Sequence, residues 1–148
     1  RPFNSFGPRF TQPYIIPELI QQISKNDSLK LGNVKSSRDF TFVRDTARAI
    51  LAATKEKRAV GEVINIGSGH DVTILDIAKM ISRLSNVKLK IIYDKNRKRP
   101  FDVNKLVCGN SKAKRILKWK PTISLEDGLK QTLAWAKNNN IVLNSTFR

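Results

Sequence analysis

Short apolar runs with strand character alternate along this chain with amphipathic helical patterns, and this alternation limits the possible folds more than any other feature. Residues 14–24 place apolar side chains at helical spacing, and residues 62–66 form a β-branched run that ends at a glycine-rich turn. Strands that alternate with helices favour an α/β fold with parallel strands. The 148 residues suffice for one domain with a core and are too few for two ordinary domains.

Two helix starts are marked by capping boxes. Thr73 stands three residues before Asp76, and Ser124 stands three residues before Asp127, so each hydroxyl can cap a first helical turn. Further helices are predicted over 43–54 and 111–117, and strands over 29–31, 38–42, 62–66 and 88–93. The predicted inner face of the 43–54 helix consists of Ala47, Ala49, Ile50 and Ala53. We expect one structural part over 1–137 and a polar tail over 138–148.

The composition indicates a folded protein whose positive charge reflects polyanionic partners, a solubility feature, or an imbalance that acidic residues in the rest of the protein would compensate. Apolar residues make up 40% and charged residues 27% of the chain, and its net charge of +16 favours phosphorylated molecules, nucleic acid or acidic lipid as partners. No apolar run approaches the roughly 20 residues of a membrane span. Cys108 and His70 are the single cysteine and histidine, which excludes a disulfide framework and a zinc site and favours the cytoplasm. The chain begins without Met or a secretory leader, and we expect upstream sequence to be missing.

Several segments invite a chemical interpretation that residue types alone leave open. The turn over 67–69 suggests a dinucleotide cradle, but Val72 stands where a third glycine is needed and Asp71 would meet the phosphates. The basic run over 95–100 is either a solvated loop or a cover for an anion. Arg38 is a surface residue or an anion clamp, and Asp45 is expected as a helix cap or dipole partner.

Taken in order, several motifs resemble the extended short-chain dehydrogenase/reductase family of nucleotide-sugar epimerases and dehydratases, over residues 1 to about 135. The carrying segments are Arg-Pro-Phe-Asn-Ser-Phe-Gly-Pro-Arg (1–9), Leu-Gly (31–32), Arg-Asp-Phe-Thr-Phe-Val (38–43) with Asp45, Gly-Glu-Val-Ile-Asn-Ile-Gly-Ser-Gly (61–69), Arg-Pro (99–100), Ser-Lys-Ala-Lys (111–114), Leu-Lys-Trp-Lys-Pro (117–121) and Leu-Glu-Asp-Gly-Leu (125–129). The resemblance implies the C-terminal part of a Rossmann-type enzyme: the last strands of the parallel sheet together with the small substrate-binding lobe.

The resemblance also implies roles for individual positions. Pro2 and Phe3 would lie near the nicotinamide of the cofactor, NAD. The implied substrate-binding residues are Asn4, Lys30, Leu31, Arg38, Arg99 and Lys105, with no metal ligand. In the family, position 105 is usually arginine, and lysine lacks the bidentate fork of a guanidinium. Neither tyrosine is followed four residues later by lysine, so the catalytic Tyr-x-x-x-Lys pair is not in this chain.

The implied function is that of a nucleotide-diphosphate-sugar enzyme whose catalytic half precedes this chain. The region of residues 31–42 looks most like the UDP-N-acetylglucosamine 4,6-dehydratases, and a 4-epimerase of the same family is the alternative. We expect no activity from this chain alone, and a homodimer for the full-length protein. A nucleic-acid-binding module is the alternative of another class. It is disfavoured because the basic run of this chain has no aromatic residues interleaved with its charges.

Overall fold

The computed structural model describes residues 1–9, 14–25, 28–88, 90–97 and 102–139. Strands and helices alternate, as the sequence predicted. The strands are β1 (Ser5–Phe6), β2 (Ser28–Leu31), β3 (Ser37–Asp39), β4 (Thr41–Phe42), β5 (Asp71–Thr73), β6 (Lys90–Tyr93) and β7 (Lys105–Leu106). The helices are α1 (Ile15–Lys25), α2 (Val43–Lys55), α3 (Ile74–Ser85), α4 (Ser111–Leu117) and α5 (Leu125–Asn138), and single 3₁₀ turns cover Lys57–Ala59 and Lys95–Arg97.

The described strands form three small sheets. β1 pairs with β4 and β2 pairs with β6, both in parallel. β3 is the centre of the third sheet, with β5 antiparallel on one side and β7 parallel on the other. The α/β class with parallel pairing is therefore confirmed.

The segment 62–66 forms less strand than expected. One isolated parallel bridge joins Ile66 to Pro2, flanked by hydrogen bonds from Phe3 N to Ile66 O (2.8 Å) and from Ile66 N to Arg1 O (3.0 Å). Ile66 is buried, whereas Val63 is 51% exposed. The segment is thus extended beside residues 1–3, but only one residue pair meets the criterion for a bridge.

Two hydrophobic clusters hold the elements together. The larger one joins α1, α3 and α5 to the strands through buried side chains such as Leu19, Leu29, Phe42, Ile77 and Leu129. In the smaller one, α2 and α4 pack around the extended segment 64–66; its members are Ala49, Ile64, Ile66, Ala113, Ile116, Leu117 and Trp119. Burial of these apolar surfaces is the main favourable term in the stability of the fold.

The inner face predicted for α2 is partly wrong. Ala49 is buried and Ala53 partly so, but Ala47 is exposed and Ile50 is 56% exposed. The residues that α2 buries are Asp45, Thr46 and Ala49. The polar first turn of α2 thus faces inward, where Asp45 accepts hydrogen bonds from Thr122 and Ile123, and part of the apolar surface of the helix faces outward.

The two predicted capping boxes are confirmed at the starts of α3 and α5. Thr73 accepts a hydrogen bond from Asp76 N at the start of α3, and Ser124 accepts one from Asp127 N at the start of α5. No helix among the described residues is long and apolar enough to cross a bilayer. α5 ends at Asn138, and the remainder of the predicted tail lies outside the described residues from 140 on.

Candidate functional site

β3 brings three of the predicted substrate-binding residues into one region. Arg38 is the central residue of the strand, and Lys105 in β7 lies beside Ser37 in register. The Asn4 side chain donates from Nδ2 to the carbonyl oxygen of Asp39 at the end of β3 (2.8 Å). The amide of Asn4 therefore anchors to a neighbouring strand rather than to its own turn. Arg38 and Lys105 thus belong to one sheet, and Asn4 is bonded to its central strand. Because Lys105 is in register with Ser37, its side chain lies on the face of the sheet opposite to that of Arg38.

The guanidinium of Arg38 is fixed by several partners. Its Nη2 lies 2.6 Å from Oδ1 of Asp102, and its Nη1 donates to the carbonyl oxygens of Ser37 (2.8 Å) and Val103 (2.6 Å). The second carboxylate oxygen of Asp102 accepts from Asn33 Nδ2 at 2.9 Å. The Arg38 side chain is only 17% exposed. The cation at this position is therefore oriented by the protein before any ligand binds.

Lys105 lies at the exposed rim of the same sheet. Its side chain is 67% exposed, and its Nζ lies 3.0 Å from Oδ1 of Asp71. Hydrogen bonds from the Ser37 side chain and from Lys105 lower the pKa of the Asp71 carboxyl below its ordinary value. An ammonium so exposed contributes charge more than fixed geometry.

Leu31 lies where its side chain cannot line an open pocket. The side chain is 3% exposed and packs in the larger core cluster. Its carbonyl oxygen accepts from Asp94 N at 2.8 Å, just beyond β6. A contact of Leu31 with a nucleotide base stays a prediction, but its carbonyl is already bonded within the protein.

Lys30 borders an open cavity on the other side of β2. The cavity has a volume of about 380 Å³ and is lined by Gln22, Ser28, Lys30 and Arg97. The Gln22 side chain accepts from Lys30 N at 2.7 Å and donates to Lys30 O at 3.2 Å, so it caps the free edge of β2. The backbone of Lys30 is therefore engaged, and its exposed side chain is the group that faces solvent.

Two further predicted positions lie at the N-terminal edge, and one cannot be placed. Pro2 is exposed and Phe3 half-buried beside the extended segment that ends at Ile66. Arg99 lies outside the described residues, three positions before Asp102 in the sequence. The roles assigned to Pro2, Phe3 and Arg99 stay predictions.

The glycine turn over 67–69 encloses a carboxylate of the chain itself. Asp39 is fully buried; its Oδ1 accepts from Ser68 N (2.8 Å) and Ser68 Oγ (2.6 Å), and its Oδ2 accepts from Gly69 N (2.8 Å) and Cys108 N (3.1 Å). A Cβ on Gly67 would come within 2.2 Å of Cys108 Cβ, which explains this glycine. The donors that a pyrophosphate would need are thus occupied by Asp39.

A second buried carboxylate, Asp45, joins α2 to the loop before α5. It accepts from the backbone N–H groups of Thr122 and Ile123, both at 3.0 Å, from Thr122 Oγ1 at 2.9 Å and from Arg48 Nη2 at 2.7 Å. Burial alone would raise the pKa of Asp45, but these hydrogen bonds outweigh it and the pKa is lowered. Asp45 therefore links two elements and does not cap its helix, but it lies in the first turn of α2, where the predicted interaction with the helix dipole is possible.

The sequence interpretation missed Asp102, Asn33 and the role of Asp39. The signal for Asp102 was its position three residues after Arg99, in a loop already considered as a cover for an anion. Asp39 directly follows Arg38, but its partners are a turn and a strand end far along the chain. No cluster of three potential metal ligands occurs among the residues that the structure describes.

This partial Rossmann-type α/β structure, with the oriented cation Arg38 on β3, defines part of an extended short-chain dehydrogenase/reductase. A family model described as GDP-mannose 4,6 dehydratase matches residues 1–132. The chain belongs to this family, and its relatives include a nucleotide-sugar epimerase, a nucleotide-sugar decarboxylase and a GDP-sugar reductase.

Individual relatives support this membership. UDP-glucuronate 4-epimerase from Thermodesulfobacterium geofontis is 36% identical over 141 residues, covering 94% of this chain and 42% of that protein. UDP-glucuronic acid 4-epimerase from Bacillus cereus, solved with UDP-glucuronic acid and NAD, superimposes with a TM-score of 0.86 at 33% identity, covering 94% and 44% of the two chains. RMD from Pseudomonas aeruginosa, solved with NADPH, gives a TM-score of 0.84 at 26% identity, covering 93% and 48%. The chain thus spans less than half the length of these relatives.

Proposed function

We propose that this chain is the substrate-binding part of an NAD-dependent enzyme that acts on a UDP-sugar or a similar nucleotide-diphosphate sugar. The observation that carries this proposal is Arg38 on β3, a mostly buried guanidinium that three hydrogen bonds hold in place. The solved relative with UDP-glucuronic acid and NAD provides the chemical class of the ligands. Activity would require the remainder of the full-length protein, because this chain has no Tyr-x-x-x-Lys sequence.

Binding of the diphosphate follows from charge and geometry. A nucleotide-sugar diphosphate carries two negative charges, and the chain has a net charge of +16. A guanidinium has five N–H groups in a planar fork, and the described residues engage three hydrogen bonds of Arg38. The remaining N–H donors belong to a guanidinium that is already held in one orientation, and this lowers the entropic cost of binding phosphate oxygens. Lys105 would add a mobile charge at the rim.

The described residues do not fit the dinucleotide itself. The one glycine turn that resembles a cradle is filled by Asp39, whose carboxylate takes the N–H groups of Ser68, Gly69 and Cys108. We therefore propose that other parts of the full-length protein bind NAD. This chain would only border the nicotinamide, through Pro2 and Phe3.

Two reactions remain as candidates within the family. The 4,6-dehydratase is proposed from the local resemblance of residues 31–42. A 4-epimerase is favoured by relatives with that name, including a UDP-glucose 4-epimerase from Thermotoga maritima solved with UDP-glucose, at 28% identity and a TM-score of 0.85. Both candidate reactions act on a nucleotide-diphosphate sugar, so a diphosphate contact of Arg38 would serve either one.

The decisive experiment is a product analysis with the full-length protein. It would be incubated with NAD and, separately, with UDP-glucose, UDP-N-acetylglucosamine and UDP-glucuronate, and the products followed by NMR. A 4-keto-6-deoxy sugar identifies the dehydratase, and inversion at C4 identifies the epimerase. Conversion of none of them, with tight salt-sensitive binding of nucleic acid instead, would contradict the proposal and support a polyanion-binding module.

Sedimentation of the full-length protein would test the homodimer that the resemblance implies, and fractionation of its cells would test the cytoplasmic location. These two proposals are independent of the diphosphate site. A monomer would contradict the first proposal and an extracellular location the second, and neither result would bear on the proposed role of Arg38.

A further inference from the structure

We infer that Asp102 and Asn33 are positioning residues that orient Arg38 for the substrate diphosphate. The inference rests on the proposed function, because it requires Arg38 to bind phosphate. Asp102 bridges the two other residues: Oδ1 bonds Arg38 Nη2 at 2.6 Å and Oδ2 accepts from Asn33 Nδ2 at 2.9 Å. The cluster Asn33–Asp102–Arg38 therefore forms a continuous chain of hydrogen bonds.

The burial of this cluster distinguishes it from a surface ion pair. The Arg38 and Asp102 side chains are 17% and 14% exposed. Every other ion pair among the described residues has a partner that is at least 42% exposed. Exposed pairs are screened by water and add little order. A shielded carboxylate that bonds both Arg38 and Asn33 completes the set of acceptors that fixes the guanidinium plane, together with the carbonyl oxygens of Ser37 and Val103.

The cluster also joins three separate segments. Asn33 lies in the turn after β2, Arg38 in β3, and Asp102 in the loop before β7, 69 and 64 residues along the chain from its two partners. The loop is held again by the bond from Ser37 N to Asn104 O at 2.8 Å. A loop fixed at this point places its carboxylate beside Arg38 in the folded protein, where it selects one rotamer of a long, flexible side chain.

A double-mutant cycle in the full-length protein tests the inference. Calorimetric titration with UDP, and with GDP as the second probe, gives Kd for Arg38→Ala, Asp102→Ala, Asn33→Ala and the double variants. Loss of charge-assisted hydrogen bonds predicts that Arg38→Ala weakens binding about 10–100-fold. Asp102→Ala should weaken it about 5–20-fold in the wild-type background and less than about twofold in the Arg38→Ala background. Asn33→Ala should give a smaller loss with the same dependence on Arg38.

The turnover parameters add a readout that a purely structural role would not reproduce. Asp102→Ala should raise KM for the nucleotide sugar while kcat changes less than about twofold, and Asp102→Glu should restore part of the affinity. Glu126→Ala is the matched control, since it removes the partner of the exposed Arg83. It should leave Kd unchanged.

The outcomes separate the two claims. If Arg38→Ala binds UDP and GDP as tightly as the wild type, the proposed diphosphate site and this inference both fail. If Arg38→Ala weakens binding but the losses from Asp102→Ala and Arg38→Ala multiply, Asp102 contacts the ligand by itself and only the positioning role is overturned. If Asp102→Ala does not fold, additivity in the Asn33→Ala cycle overturns the role equally.

Discussion

Replacement of Asp39 tests the conclusion that the glycine turn encloses a protein carboxylate. The two oxygens of Asp39 accept from three backbone N–H groups and one hydroxyl, and the residue is fully buried. In Asp39→Ala, the N–H groups of Ser68, Gly69 and Cys108 lose their acceptor. In Asp39→Asn, the amide keeps one oxygen and presents a donor to the other pair.

The magnitudes follow from the number of donors left without a partner. A buried donor without an acceptor costs about 1–3 kcal/mol. Ser68 and Gly69 are partly exposed, so water replaces some of the loss. We expect Asp39→Ala to lower the free energy of unfolding by about 3–5 kcal/mol. Asp39→Asn should cost about 2 kcal/mol, because the amide can turn its NH₂ toward the Ser68 hydroxyl, which then accepts. Ser68→Ala should cost about 1 kcal/mol.

Equilibrium urea denaturation of the full-length protein measures this series, and hydrogen exchange of the Gly69 and Cys108 amides locates the change. NAD affinity should be equal in all variants that remain folded, because the turn does not bind the dinucleotide. The reasoning is refuted if Asp39→Ala unfolds within about 1 kcal/mol of the wild type. It is refuted equally if removal of this side chain strengthens NAD binding, which would mean that the turn was a cradle after all.

Three further predictions follow from buried groups. Burial raises the pKa of the Cys108 thiol to about 11, so a disulfide reagent at pH 8 should modify it far more slowly in the folded than in the urea-unfolded protein; equal rates would contradict this. Because the pKa of Asp45 is lowered in the folded protein, its ionised carboxylate stabilises the fold above its ordinary pKa of 3.8, and this stabilisation is lost as the pH falls through the folded pKa. The urea midpoint of Asp45→Asn should therefore fall less steeply with decreasing pH than that of the wild type. Parallel plots of midpoint against pH would contradict this prediction. A Cβ on Gly128 would lie 2.7 Å from Phe6 Cζ and 2.8 Å from Phe42 Cδ2, so Gly128→Ala should lose about 1–2 kcal/mol despite its better helix propensity, and a higher melting temperature would disprove the clash.

Features fixed by neighbouring residues could be predicted from the sequence. The hydroxyls of Thr73 and Ser124 cap α3 and α5 because a cap needs only a few adjacent residues. The helix over 111–117 was predicted with the bounds that α4 has. Because helical periodicity and capping depend on adjacent residues, tertiary contacts did not change these helix bounds and caps.

Features fixed by distant partners could not be predicted in this way. The bond from Cys108 N to Asp39 spans 69 residues, and that from Thr122 N to Asp45 spans 77. Neither acidic residue differs in its local pattern from an ordinary helix or strand residue. The orientation of α2, which buries Asp45 and leaves Ile50 exposed, could not be predicted from helical periodicity alone.

The candidate site shows the same division. Residue types left Arg38 open as a surface residue or an anion clamp, and only the family resemblance selected the clamp. The structure places its Nη2 atom 2.6 Å from Oδ1 of Asp102, a residue 64 positions along the chain whose contact with Arg38 could not be inferred from its position after Arg99. A carboxylate that joins a loop to a strand distant in the sequence can be identified only from the folded structure.

The central claim is that Arg38 binds the diphosphate of a nucleotide sugar while NAD is bound elsewhere. Its most direct test is a pair of calorimetric titrations of the full-length protein, one with UDP-glucose or UDP-glucuronate and one with NAD, for the wild type, Arg38→Ala and the exposed control Arg83→Ala. We predict that Arg38→Ala loses about 10–100-fold in affinity for the nucleotide sugar and keeps the wild-type affinity for NAD, with the control unchanged for both. Equal losses for both ligands, or none for the nucleotide sugar, would contradict the claim.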